Sequence, residues 1–266
     1  MNMHAVPSIQ LTGMKRLVQT FAVIFAVARS FAATDAALDA PLPPLDKVIP
    51  GVIDQANQEN GDEKLFKDHY SYTRMRVTNY LNSDGDVTSH TEKTSDKSPW
   101  PTNAPPKVRK HHPTTTTATA DQKENQFDKK DFVLTRDMVD RFELTMTNRV
   151  LIRGRPTLVI SFQPKSGKLP ENNIKDRFIN HAAGTLWIDE QDYAVAKADV
   201  HLTQQVNVFG GVAGAVWKFH FTLDRARTDD GLWYVLNMNW HLEGREVVFS
   251  RYMDYHELWT NVRKTQ

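Results

Sequence analysis

The stretch from Gly184 to Leu202 admits few folds. Its second half alternates strictly, with Ala194, Ala196, Ala198, Val200 and Leu202 on one side and the wetter Tyr193, Val195, Lys197, Asp199 and His201 on the other. A period of two is what a strand with one buried face requires. Gly184 to Asp189 carries Leu186 and Ile188 inward, and the polar Glu190, Gln191 and Asp192 between the halves make a turn. The stretch is therefore a hairpin of an antiparallel sheet, and the residues after it extend that sheet.

Gly210, Gly211 and Gly214 interrupt Gln204 to Ala215. Because a strand follows the glycines and Lys218 lies inside it, they form a hairpin loop rather than a phosphate cradle, which needs a following helix. Trp217, Phe219, Phe221 and Leu223 then oppose Val216, Lys218, His220 and Thr222. Asp229-Asp230-Gly231 turns the chain into Leu232, Tyr234, Leu236, Met238, Trp240 and Leu242, every second residue. A last strand, Glu246 to Tyr255, alternates Val247, Phe249, Arg251, Met253 and Tyr255.

Upstream lies what covers the sheet. Leu45, Val48, Ile49, Val52, Ile53 and Ala56 recur at helical spacing. Pro50 would clash inside a helix, so the spacing predicts a start at Pro50 and a helix over Gly51 to about Phe66. Tyr70 to Leu81 alternates as a strand, with Tyr70, Tyr72, Arg74, Arg76 and Thr78 on one side, and Asn82 to Asp86 turns it back through Asp84-Gly85. Ser95 to Lys130, rich in proline, threonine and scattered charge, is a low-complexity insert that buries too little apolar surface to order itself. A helix with Leu134, Met138 and Phe142 on one face and Thr135 as its cap follows. Glu143 to Ile152 and Thr157 to Phe162 form a hairpin about Arg153-Gly154-Arg155, with Leu158, Ile160 and Phe162 on one face. Glu171 to Ala183 is a short helix. The sum is a mainly β (α+β) domain: about eight antiparallel strands in a curved sheet forming an incomplete barrel, with two or three short helices covering it.

Residues 1–32 read as a cleaved export signal. Lys15-Arg16 is its positive region, Leu17 to Ala28 its apolar run and Ser30-Phe31-Ala32 its small-residue end, with Met14 an alternative start. Residues 33–44 read as a leader, and 45–266 as a single domain. The chain has no cysteine, which excludes a lipid anchor through cysteine, disulfides and thiol chemistry. This address predicts a periplasmic or secreted protein with no transmembrane segment once the signal is removed. With 33 Lys and Arg against 32 Asp and Glu, a net charge of +1 supplies no field for nucleic acid.

No catalytic or metal constellation stands out, and no cofactor is implied. There is no Gly-x-Ser-x-Gly elbow, His256-Glu257 lacks a zinc helix's second histidine, and His201, His220 and His241 fall on the polar faces of strands. Asp189 and Asp192 bracket a turn; they are either a carboxylate pair for acid–base work or ordinary turn residues. The late aromatic stripe is either core or the wall of an apolar cavity for a hydrophobic ligand. The candidates for that wall are Trp217, Phe219, Phe221, Tyr234, Leu236, Met238 and Trp240, with Ile160 and Phe162.

Phe162-Gln-Pro-Lys, Gly167-Lys-Leu-Pro170, Gly184-Thr-Leu-Trp-Ile-Asp-Glu-Gln-Asp-Tyr-Ala-Val-Ala-Lys-Ala, Gly210-Gly211 and Arg225-Ala-Arg-Thr-Asp-Asp-Gly-Leu-Trp233 resemble a branch of the LolA/LolB-like superfamily of periplasmic lipoprotein-sorting proteins. The resemblance spans Asp46 to Ser95 loosely and Asp131 to Tyr255 more fully; its motifs mark hairpins and turns. It implies an incomplete β-barrel around short helices, whose apolar concave face accepts the acyl chains of lipids or lipoproteins. Gly51 to Phe66, Thr135 to Phe142 and Glu171 to Ala183 would then form the lid and the late stripe the wall, with no catalytic residue to carry over. The low-complexity 95–130 departs from that pattern. The alternative on the same fold is a non-enzymatic module that binds or senses other envelope proteins, with the stripe entirely core.

Overall fold

Hairpin after hairpin pairs antiparallel until ten strands share one sheet in the computed structural model. It describes residues 38–99, 134–208, 214–246 and 249–265. The export segment, most of the 95–130 insert and Gly210-Gly211 lie outside the described residues. Pro43–Gln266 is one compact unit, and the account concerns that unit.

The strands are β1 (Tyr70–Leu81), β2 (Val87–Lys97), β3 (Phe142–Ile152), β4 (Arg155–Pro164), β5 (Ala182–Asp189), β6 (Val195–Leu202), β7 (Val206–Val208), β8 (Gly214–Arg227), β9 (Trp233–Glu246) and β10 (Phe249–Lys264). Their spatial order is β2-β1-β10-β9-β8-β6-β5-β4-β3, with the short β7 on β8. The margins β2 and β3 do not pair with each other, so among the described residues the sheet stays open, the mainly β architecture expected from the alternation. Three helices accompany it: α1 (Leu45–His69), α2 (Arg136–Val139) and α3 (Ile174–Asn180).

The β5–β6 hairpin sits near the middle of the sheet. Gly184 pairs with Val200 and Phe162, and a Cβ added there would lie 2.0 Å from the Asp199 carbonyl oxygen, so only glycine lets these strands approach. At the turn, buried Asp189 accepts from the Gln191 and Asp192 amides at 3.1 and 2.8 Å, an Asx-type closure.

α1, 25 residues and about 37 Å long at 1.5 Å per residue, crosses the sheet at one end of its strands. Val48 and Val52 pack on Leu158 and Ile160 of β4 and Ile188 of β5. Gly51 passes so close over Tyr193 that a Cβ would come within 2.7 Å of its ring. Glu59 pairs with Arg225 of β8. Phe66, 1% exposed, closes a ring cluster with Tyr70 and Tyr72 of β1, Tyr234 of β9 and Trp259 of β10. These contacts concentrate towards the start of β4, β9 and β1, the end of β5, β8 and β10, and the β5–β6 turn, so the helix lies over that end of the inner face.

The structure corrects several expectations. α1 begins at Leu45 with Pro50 inside it, because burying Val48, Ile49 and Val52 outweighs the one hydrogen bond proline removes. β10 continues nine residues past Tyr255; the inward Glu257 breaks the apolar alternation without breaking the strand. β2, exposed at all but one position, carries no alternation and is held by its backbone pairing to β1. The helix expected to run to Phe142 is four residues long, capped by Thr135 at 3.3 Å, and Phe142 already opens β3. Helix α3 is likewise shorter than expected, with Asn173 as its cap and Ala182 already in β5.

Candidate functional site

Register assigns the faces. In antiparallel pairs directly opposite residues share a side, so one unbroken row runs across eight strands: Thr78, Tyr255, Trp240, Phe221, Val200, Gly184, Phe162 and Leu144. A second row, one pleat towards α1, joins Arg76, Glu257, Met238, Leu223, Ala198, Leu186, Ile160 and Met146 by the same pairings. Ile160 shares one buried cluster with Val48 and Val52, which puts both rows on the α1 side, the inner face.

The candidate wall residues separate into three groups. Phe219, Phe221, Met238 and Trp240 lie on the inner face and are half-buried, as are Leu242, Met253 and Tyr255 beside them, while Leu236, also half-buried, sits at a bulge of β9 and has no direct cross-strand partner among the described residues. Trp240 stacks on Tyr255 at 5.2 Å. Tyr234 and Ile160 belong instead to the packing under α1: Tyr234 stacks on Phe66 at 5.2 Å, and Ile160 is 2% exposed. Phe162 is half-buried, edge-on to Phe142.

Trp217 is a correction. A bulge between Val216 and Lys218 sets two residues of β8 against Glu243 alone, which reverses the alternation expected through Phe219. The Trp217 indole donates to Glu243 at 3.3 Å and meets Tyr252 edge-on, both on the outer face.

Where β1 meets β10 the inner face becomes charged. Glu257, 2% exposed, accepts two hydrogen bonds from Arg74 (2.7 and 2.6 Å), one from the Tyr255 hydroxyl (2.5 Å) and one from the Trp259 indole (2.6 Å). Burial alone would raise the Glu257 pKa, but these donors and the Arg74 charge hold it below the ordinary glutamate range. The Tyr255 hydroxyl is pushed up to about 12 by burial and by its bond to that carboxylate.

The outer face carries the histidines. His201, His220 and His241 are successive cross-strand partners. Rather than simply solvated, His220 meets Asp199 at 2.9 Å, and His241 lies between Asp254 (2.6 Å) and Glu243 (2.9 Å) beside a shallow groove of about 370 Å³. Burial would lower the His241 pKa, but its two carboxylates raise it, and Lys218 with His241 brings Glu243 down to about 2. Among the described residues no three histidine or carboxylate groups converge as metal ligands.

The Asp189 and Asp192 pair is engaged by neighbouring arginines. Arg155 donates to Asp189 at 2.5 and 2.7 Å, while Asp192 accepts from Arg227 (2.6 Å) and the Trp233 indole (2.9 Å). These carboxylates tie the turn to neighbouring strands, with Asp192 Oδ1 also 3.2 Å from Arg155.

Sequence reasoning singled out neither Tyr255 nor Arg76 as site residues. The readable signal was the run Tyr70, Tyr72, Arg74, Arg76, Thr78, which sets two cations on the same side as two aromatics.

No family model matches the chain, and no curated protein sequence matches it. Among solved structures it is similar to an outer membrane lipoprotein-sorting protein domain from Vibrio parahaemolyticus, with 9% identity, 80% of this chain and 92% of that chain covered, and a TM-score of 0.31. It is also similar to a DUF1329 family protein from Desulfovibrio piger, with 14% identity, 81% and 92% coverage and a TM-score of 0.28. A third similarity is to the MucA/MucB complex of Pseudomonas aeruginosa, with 9% identity, 81% and 99% coverage and a TM-score of 0.22. Among the described residues no helix is long and apolar enough to cross a membrane.

Proposed function

We propose that this chain is a non-enzymatic envelope protein that holds the acyl chains of lipids or lipoproteins against the inner face of its sheet. One observation carries the reading. α1 covers the inner face at one strand end, where Leu158, Ile160, Ile188, Tyr70, Tyr72 and Trp259 are buried, while at the other Phe219, Phe221, Trp240, Leu242 and Met253 form a contiguous apolar floor that is only half-buried. Scattered exposed apolar residues are ordinary on a protein surface, but a contiguous floor marks a binding surface. Each methylene laid on it contributes about 0.8 kcal/mol, so roughly ten of them contribute about 8 kcal/mol before ordering costs. The export signal read from the sequence supports an envelope location.

Native mass spectrometry of the protein purified without detergent and mixed with a long-chain fatty acid tests this. The expected result is a saturable adduct of one or two lipid masses. A protein that stays at its own mass with lipid in excess, yet retains a co-purifying polypeptide, would establish the protein-interaction module instead.

A further inference from the structure

The inner face is not apolar to its margin, and the exception has a pattern. Arg76 of β1 and Lys93 of β2 are direct cross-strand partners, and Arg76 in turn is opposite Glu257 of β10. Alternation places both cations on the inner face with Arg74 and Tyr72. Like charges directly opposite each other in a sheet are destabilising, and a nearby carboxylate is the usual remedy. The carboxylate next in register cannot serve, because the two oxygens of Glu257 already accept four hydrogen bonds from Arg74, Tyr255 and Trp259. Glu92, on the neighbouring position of β2, is opposite Val77 and so faces the other way. Among the described residues neither Arg76 nor Lys93 has an ion pair or hydrogen bond. As residues, Arg76 is half-buried and Lys93 exposed, so the pair sits at the rim of the inner face.

One pleat away on the same face, Thr78 and Thr91 are also direct partners, and Thr78 begins the row that continues into Tyr255, Trp240, Phe221 and Val200. Two cations and two hydroxyls therefore adjoin one margin of the apolar floor. From Thr78 to Val200 are four strand steps of about 4.8 Å, roughly 19 Å, enough for most of a long acyl chain. This is the chemistry of an amphiphile with an anionic head, carboxylate or phosphate. A neutral lipid would leave both charges unanswered, and a free anion would leave the floor bare.

On the reading that the floor binds acyl chains, we infer that Arg76 and Lys93, flanked by Thr78 and Thr91, hold the anionic head group of an amphiphile whose tail lies over Tyr255, Trp240 and Phe221. Arginine supplies planar, two-pronged donors and lysine a mobile point charge, a pair suited to a carboxylate or phosphate.

Calorimetric titration of the full chain with dodecanoate, dodecyl phosphate, dodecanol and inorganic phosphate tests the inference. The anionic amphiphiles are expected to bind at least about tenfold more tightly than dodecanol, an advantage of about 1.4 kcal/mol or more. That preference should shrink as salt rises to about 0.5 M. In the Arg76→Met/Lys93→Met double variant the preference is expected to vanish while dodecanol affinity, which doubles as the folding control, stays within about twofold of the parent. Arg76→Lys should keep part of it. An unchanged preference in the double variant overturns the head-group site and leaves the acyl-binding floor standing. Inorganic phosphate binding as tightly as dodecyl phosphate would show a free-anion site and overturn it too. If none of the dodecyl compounds binds, the floor and the head-group site fall together.

Discussion

Glu257→Ala is expected to lower the unfolding free energy by about 3–5 kcal/mol in urea denaturation, among the largest effects of any single substitution in this chain. The size follows from what alanine leaves behind. Glu257 is the acceptor for both prongs of Arg74, the Tyr255 hydroxyl and the Trp259 indole, so its loss strands a half-buried guanidinium and two donors at once. Glu257→Gln keeps the volume and should still cost much of this, since the amide cannot answer the Arg74 charge. The pH dependence has a definite sign. Because the folded pKa of Glu257 lies below its ordinary 4.5, its contribution is complete above that value and is lost as pH falls through the depressed folded pKa. The parent should therefore lose more stability than Glu257→Gln on acidification from neutral pH. Equal acid sensitivity in the two would show that the Arg74 pair contributes nothing to the fold.

Phe66→Ala is expected to cost a similar amount, about 3–5 kcal/mol, as removal of a fully buried phenylalanine from a ring cluster usually does. Phe66 joins the C-terminal end of α1 to β1, β9 and β10, with ring centroids 5.0 to 5.8 Å from Tyr70, Tyr72, Tyr234 and Trp259. Its neighbour Leu65, 47% exposed, is the control, and Leu65→Ala should change stability by less than about 0.5 kcal/mol. The Asp230 carboxylate reinforces the same junction. It joins the Tyr70 hydroxyl, Thr228 at 2.6 Å and Lys264 at 2.9 Å, and these donors hold it well below the usual aspartate range.

How far the fold could be read in the sequence depended on whether side chains or backbone specified each element. The alternation in 184–202, 219–223 and 234–242 marks β5, β6, β8 and β9 because their apolar side chains line the inner face of the sheet. β2 was not visible in this way: its residues are exposed and polar, and its place is set by backbone hydrogen bonds to β1, which leave no compositional trace. The apolar alternation of β10 ends at Tyr255 because a carboxylate occupies the next inward position, tolerated there through its bonds to the distant Arg74 and to Tyr255 and Trp259. The helix starting at Leu45 was hidden by Pro50, whose local cost is smaller than the tertiary burial of its neighbours. In the candidate site, the floor of Phe219, Phe221, Met238 and Trp240 was legible as a stripe. Trp217 was misplaced, since a bulge adds one residue to one strand and inverts every side chain beyond it without any change of composition. Arg76 and Lys93 lie 17 positions apart in the sequence, and nothing but the β1–β2 register brings them together.

Quenching of tryptophan emission by a long-chain fatty acid brominated along its tail tests the central claim most directly, because a heavy-atom quencher acts only near contact. The chain has six tryptophans, so the comparison is among the native protein, Trp240→Phe and Trp217→Phe. With Trp240 on the inner floor and Trp217 on the outer face, quenching is expected to be saturable in the native protein, preserved in Trp217→Phe and largely lost in Trp240→Phe. Quenching that rises without saturation, or that survives in Trp240→Phe and disappears in Trp217→Phe, would contradict acyl-chain binding on the inner face.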